Sequence, residues 1–154
     1  METSAPRPGA VSRPSMETLR NHLALIAVAR GITIAYDTAP IPPERLCRAH
    51  PARRVLITPR VRRRREYFIA LHGLAMLIVE DTRLKIVDEP TCWLWAIENA
   101  KTPLTPSIAT MIDNSVFGAV LDAGYSSFAA AAAALGDRGD ALIQLDGYLR
   151  GPFD

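Results

Sequence analysis

Cysteine is nearly absent from this chain: Cys47 and Cys92 are the only two in 154 residues. Two cysteines with no secretory leader make no disulfide framework, which excludes the small, stapled secreted classes and predicts reduced thiols in a cytoplasmic setting. Lysine is scarcer than arginine, standing only at Lys85 and Lys101. Arginine in its place, with abundant alanine, is the composition of a GC-rich bacterial or phage genome. No apolar run approaches the roughly 18 residues that a membrane-spanning helix needs, so no membrane partner is expected. Residues 1–15 are rich in Pro, Ser and small side chains and lack the apolar stretch of a signal peptide. A net charge of +2 excludes a polycation.

What is there is globular. About half the residues are apolar, and the length suits one domain with a real core. Residues 1–15 are expected to be a disordered lead-in, and residues 16–154 a single domain. Ser15 or Thr18 caps a first helix to about Arg30, with Leu19, Leu23, Ile26 and Val28 apolar and Gly31 as its stop. Gly31–Tyr36 and Arg54–Thr58 have the β-branched pattern of strands. The prolines of Ala39–Pro43 forbid regular structure between them. A helix follows from about Val61 to Glu80, and Arg83–Val87 is a linker or an edge strand. Asp88 or a neighbour then caps a helix to about Lys101, with Pro90 in its first turn. Thr105-Pro106 opens a helix to about Asp122, Ser126-Ser127 an alanine-rich helix to Gly136, and Asp140 a last helix to Leu149. The order predicts an α+β fold, with a small two- or three-stranded sheet and a helical C-terminal half.

The helix over Glu66–Val79 is apolar on nearly every side, as expected of a helix with neighbours all round it. His72 lies at its middle. Taken alone, a histidine there is a core histidine, and a buried imidazole needs a hydrogen-bond partner or a metal.

Its surroundings add a second reading. The strand ending in Gly-Ile-Thr-Ile, the proline loop, the Val-Leu-Ile-Thr-Pro strand, the arginine cluster, Ala70-Leu71-His72, and Glu89 followed by Trp93, Trp95 and Ala96 come in that order. Together, over about Leu23–Ala100, they resemble the ImmA/IrrE-like family of small zinc-metallopeptidase-like proteins of phages and other mobile elements. The resemblance implies a zincin-like helix bearing His-Glu-x-x-His, whose two histidines lie one turn apart and share a zinc ion. The intervening Glu is the general base for zinc-bound water, and an acid on the next helix is the third ligand.

Carried across by residue, His72 matches the first metal ligand and Glu89 the third. Gly73 stands where the base belongs, and has no side chain to act as one. Met76 stands where the second histidine belongs, and a neutral thioether is a poor ligand for zinc. Ala75 replaces the glycine frequent there. The loss of a general base alone costs about two to four orders of magnitude in rate.

The expected protein is therefore a catalytically impaired metallopeptidase-like member with no catalytic residues. It would act by protein–protein interaction in phage or mobile-element regulation, on a partner that the resemblance implies to be a repressor or related regulator. Met76 is expected to fill core space. No cofactor is expected, with zinc on vestigial His72 and Glu89 as the exception. One alternative is an active zinc peptidase that recruits Cys92, at i+3 from Glu89, into a site of His72, Glu89 and Cys92. His22 and His50 have no evident place in either site.

A second alternative rests on Arg60, Arg62, Arg63, Arg64 and Arg65. From Glu44 to Arg65 there are nine arginines and one acid, while Glu66 to the end holds twelve acids and five bases. The run is either a solvated first turn paired with the acidic C-terminal portion or a nucleic-acid surface. Base-stacking aromatics are missing from it, since Tyr67 and Phe68 fall in the buried helix, and no helix-turn-helix or zinc-finger spacing accompanies it.

Overall fold

The structure, a computed structural model, describes residues 13–37 and 46–153. Ala39–Pro43, Arg45 and the first 12 residues of the expected lead-in lie outside the described residues. Helix α1 (Met16–Arg30) begins at Ser15, whose hydroxyl accepts the Thr18 N–H, and ends at Gly31, where φ is 66° and the chain turns left-handed. Its buried stripe is Leu19, Leu23 and Ala27, each one turn from the last. Val28, expected on that face, is 80% exposed, because it lies about 100° round the helix from Ala27.

Strands β1 (Thr33–Asp37), β2 (Arg48–His50) and β3 (Val55–Pro59) form one sheet in the order β1-β3-β2. β1 runs parallel to β3 with Thr33 opposite Val55, and β2 is antiparallel with Ala49 opposite Leu56. The third strand is thus Arg48–His50, not Arg83–Val87. Arg83 takes a left-handed turn at φ 62°, and Lys85–Val87 already belongs to the next helix. Arg54, also left-handed at φ 55°, donates through its guanidinium to the carbonyls of Leu77 (2.8 Å) and Arg30 (2.6 Å).

Helix α2 (Arg64–Ile78) is the axis of the core. Every residue from Glu66 to Ala75 is buried, against Leu19 and Leu23 of α1, Leu56 of β3 and the helices beyond. The helix starts later than expected, so Arg62 and Arg63 also precede it, and Glu66 reaches back to accept the Arg63 N–H at 3.2 Å. Buried Tyr67 ties three segments together: its hydroxyl accepts the Lys101 N–H (3.0 Å) and pairs with His22 Nδ1 (2.7 Å).

Helix α3 (Lys85–Asn99) starts before Asp88, the expected cap. Asp88 instead accepts the Thr82 N–H and hydroxyl from inside the first turns. Helix α4 (Pro106–Asp122) opens with its Thr105 cap and N1 proline, and α5 (Phe128–Leu135) with its Ser127 cap, both as their sequences predict. Helix α6 (Asp140–Arg150) follows a 3-10 turn, Gly136–Gly139. There Gly139, not Asp140, holds the N-cap position, and a Cβ on it would come 2.7 Å from the Ala132 carbonyl oxygen. The alanine run packs closely only through Ala131 and Ala132. The fold is α+β, with a small sheet and a helical C-terminal half.

Candidate functional site: the His72–Glu89 cleft

His72 and Glu89 meet. His72 projects from the middle of α2 and stacks on Trp93 of α3, with ring centroids 4.1 Å apart and planes within 19°. Glu89 and Trp93 lie one turn apart on α3, and the indole N–H donates to Glu89 Oε1 at 3.1 Å. Ser115 of α4 donates its hydroxyl to the same oxygen at 2.8 Å. His72 Nε2 lies 3.4 Å from it, at ion-pair distance but without hydrogen-bond alignment, and both ring nitrogens are buried with no hydrogen-bond partner. Burial pushes the Glu89 carboxyl up, yet His72, Ser115 and Trp93 together more than offset this and hold it below its ordinary value.

The group opens onto a cleft of about 750 Å³. Arg65, His72 and Met76 line it from α2, Lys85 and Glu89 from α3, and Cys47 from the approach to β2. Ser107 to Asp122 of α4 form the opposite wall, and Lys85 Nζ reaches Asp122 across the rim at 3.8 Å. Because α3 begins at Lys85, Glu89 is held well inside its helix rather than at the frayed start that Pro90 suggests.

Gly73 has a packing reason. A Cβ there would run into Leu56 Cδ1 and stand 3.0 Å from Cys47 Sγ, so the sheet closes directly onto the helix at this residue. The place that the family resemblance would give to a general base is thus taken by the Leu56 side chain of β3. Met76, in contrast, is not core filling: it is 39% exposed and lines the cleft one turn beyond His72.

Cys92 is buried, and opens onto a neighbouring cavity of about 380 Å³ shared with Met76 and Glu89. Burial first, and then nearby Glu89, push both the Cys47 and the Cys92 thiol up to about 12. Among the described residues, no three His, Cys, Asp or Glu side chains are arranged to hold a metal ion, so His72, Glu89 and Cys92 are not gathered into one ligand set.

Zinc does not fit what is present. A zinc site takes at least three protein ligands from His, Cys, Asp and Glu, and among the described residues no such set is gathered around His72 and Glu89. Glu89 Oε1 already holds two protein donors. Ser115 and Cys47 carry no motif that marks them for this site. The available signal for Ser115 was the polar and small stripe Ser107, Asn114, Ser115, Gly118 and Asp122 on an otherwise apolar α4.

The arginines divide. Arg60, Arg62, Arg63 and Arg65 are exposed, whereas Arg64 donates to Thr102 Oγ1 (3.2 Å) and the Pro14 carbonyl (2.8 Å). Among the described residues, no helix is long and apolar enough to cross a membrane. No protein-family model, curated protein or solved structure matches the chain.

Proposed function

We propose that this protein is a catalytically impaired metallopeptidase-like protein that acts by binding another protein at the His72–Glu89 cleft. The observation that carries the reading is Gly73: the position of the general base is closed by Leu56 and Cys47, while the cleft beside it remains open at about 750 Å³. Such a site retains a surface for a polypeptide and lacks the group that would activate water to cut it. The resemblance to ImmA/IrrE-like proteins supports a phage or mobile-element setting, and a repressor or related regulator as the partner.

The test pairs binding with cleavage. A random peptide library is selected on the immobilised protein, and bound peptides are examined by mass spectrometry with zinc supplied. Peptides that bind intact, and lose binding in Met76→Arg, are the expected result. Cleaved peptides would transfer the assignment to the zinc peptidase alternative, and the absence of any selected peptide would remove the docking role.

A further inference from the structure

We propose that the cleft binds a soft monovalent metal ion, Cu(I), through His72, Met76 and Cys47. This concerns which ion the donors select, and stands whether or not a peptide docks there. His72 and Met76 are four residues apart on α2, one turn along one face, and both line the cleft. Cys47 lines it as well, its sulfur 3.0 Å from where a Cβ on Gly73 would stand. Position 73 adjoins His72 and lies three residues before Met76, so the thiol sits beside the helix face that carries the other two donors.

Two observations ask for a ligand. His72 is only 5% exposed and neither ring nitrogen has a hydrogen bond, a costly state for a buried imidazole. Met76 is 39% exposed, although the ten residues before it on the helix are all buried. The thioether lies outside the usual zinc donors, and it lines the same cleft as His72 and Cys47, where His, Cys, Asp and Glu alone form no ligand set among the described residues. Imidazole, thioether and thiol together favour Cu(I) over zinc or magnesium. The Cys47 thiolate balances the single charge of Cu(I), and Glu89 stays bound to Ser115 and Trp93. Coordination by Cys47 releases its proton to water, and no electron is transferred.

The stacking of His72 on Trp93 supplies a reporter, since an ion on the imidazole sits next to the indole. The full chain is titrated without oxygen against the Cu(I) complex of bicinchoninate. The expected result is removal of a single equivalent from the chelator, with quenching of tryptophan fluorescence. Met76→Leu and Cys47→Ser should each weaken uptake about tenfold or more. Met76→Leu keeps apolar bulk at a partly exposed position, and circular dichroism checks that it folds. No uptake from the chelator, uptake unchanged by Met76→Leu, or uptake abolished by Cys92→Ala with Cys47 intact would each overturn the proposal.

Discussion

At Gly73 two physical preferences oppose each other. Glycine inside a helix costs about 1 kcal/mol relative to alanine. An added methyl group would run into fully buried Leu56, and overpacking a core costs about 1–3 kcal/mol. We expect Gly73→Ala to destabilise the fold by about 1 kcal/mol in urea denaturation, and the same change to be stabilising in a Leu56→Ala background. A reversal only in the double variant would locate the conflict in that contact. Introducing a His-Glu-x-x-His motif with Gly73→Glu and Met76→His is therefore expected to disrupt packing rather than confer hydrolysis. At Ser115 the expectation is simpler. Ser115→Ala removes a 2.8 Å hydrogen bond to a largely buried carboxylate, which should cost about 1.5–3 kcal/mol. It should also raise the Glu89 carboxyl toward its ordinary range, followed by NMR titration.

Among the elements, the ends of α1 and α2 share one side chain. The Arg54 guanidinium donates to the carbonyl of Arg30 and to that of Leu77, so one cation serves the negative ends of two helices. Arg54→Ala should lower stability by about 2 kcal/mol, with thermal melting as the check, and Arg54→Lys should recover only part because a single ammonium lacks the planar fork. The helix limits that were legible in the sequence were those with local signals: Ser15, Thr105 and Ser127 cap by their own side chains, and Gly31 stops α1 by its own φ. The limits that were not legible lack such signals. β2 is three residues long and exists through its pairing with β3. α3 begins after Leu84, whose side chain makes no cap hydrogen bond, so the nearest acid, Asp88, looked like the start. In the site, His72 and Glu89 were paired in the sequence by the family resemblance, not by any local spacing, and the two side chains do meet. Ser115 joins them from 26 residues beyond Glu89, across a helix–helix contact that no spacing encodes.

For the molecule as a whole, burial sets a pH window. His22, lowered by burial and then by Lys101, and Glu89, lowered by its donors despite burial, both bind protons more readily when unfolded. Their stabilisation is full above their ordinary values of 6.5 and 4.5 and is lost as pH falls below each. Cys47 and Cys92 run the other way: raised from 9.0 to about 12, they favour the fold fully below 9.0 and less as pH climbs. Denaturation midpoints should therefore be flattest between pH 6.5 and 9.0, and Cys92→Ala should soften the alkaline decline. A midpoint still rising at pH 10 would contradict this window. The exposed arginines make a separate whole-surface prediction. With Arg60, Arg62 and Arg65 exposed and Arg63 ion-paired with Glu66 at 3.4 Å, any DNA affinity from this run should fall with salt at a log–log slope no steeper than about −3. Undetectable binding at low salt would leave the run as a solvated surface.

The hydroxyl that holds Glu89 comes from α4, downstream of the sheet, α2 and α3. A chain emerging from the ribosome thus exposes His72 and Glu89 before the wall that shelters them has been made. The cleft is a late product of synthesis, because neither its opposite wall nor the Ser115 hydroxyl exists until α4 has been made. Any partner that needs the closed cleft then discriminates finished molecules from nascent ones.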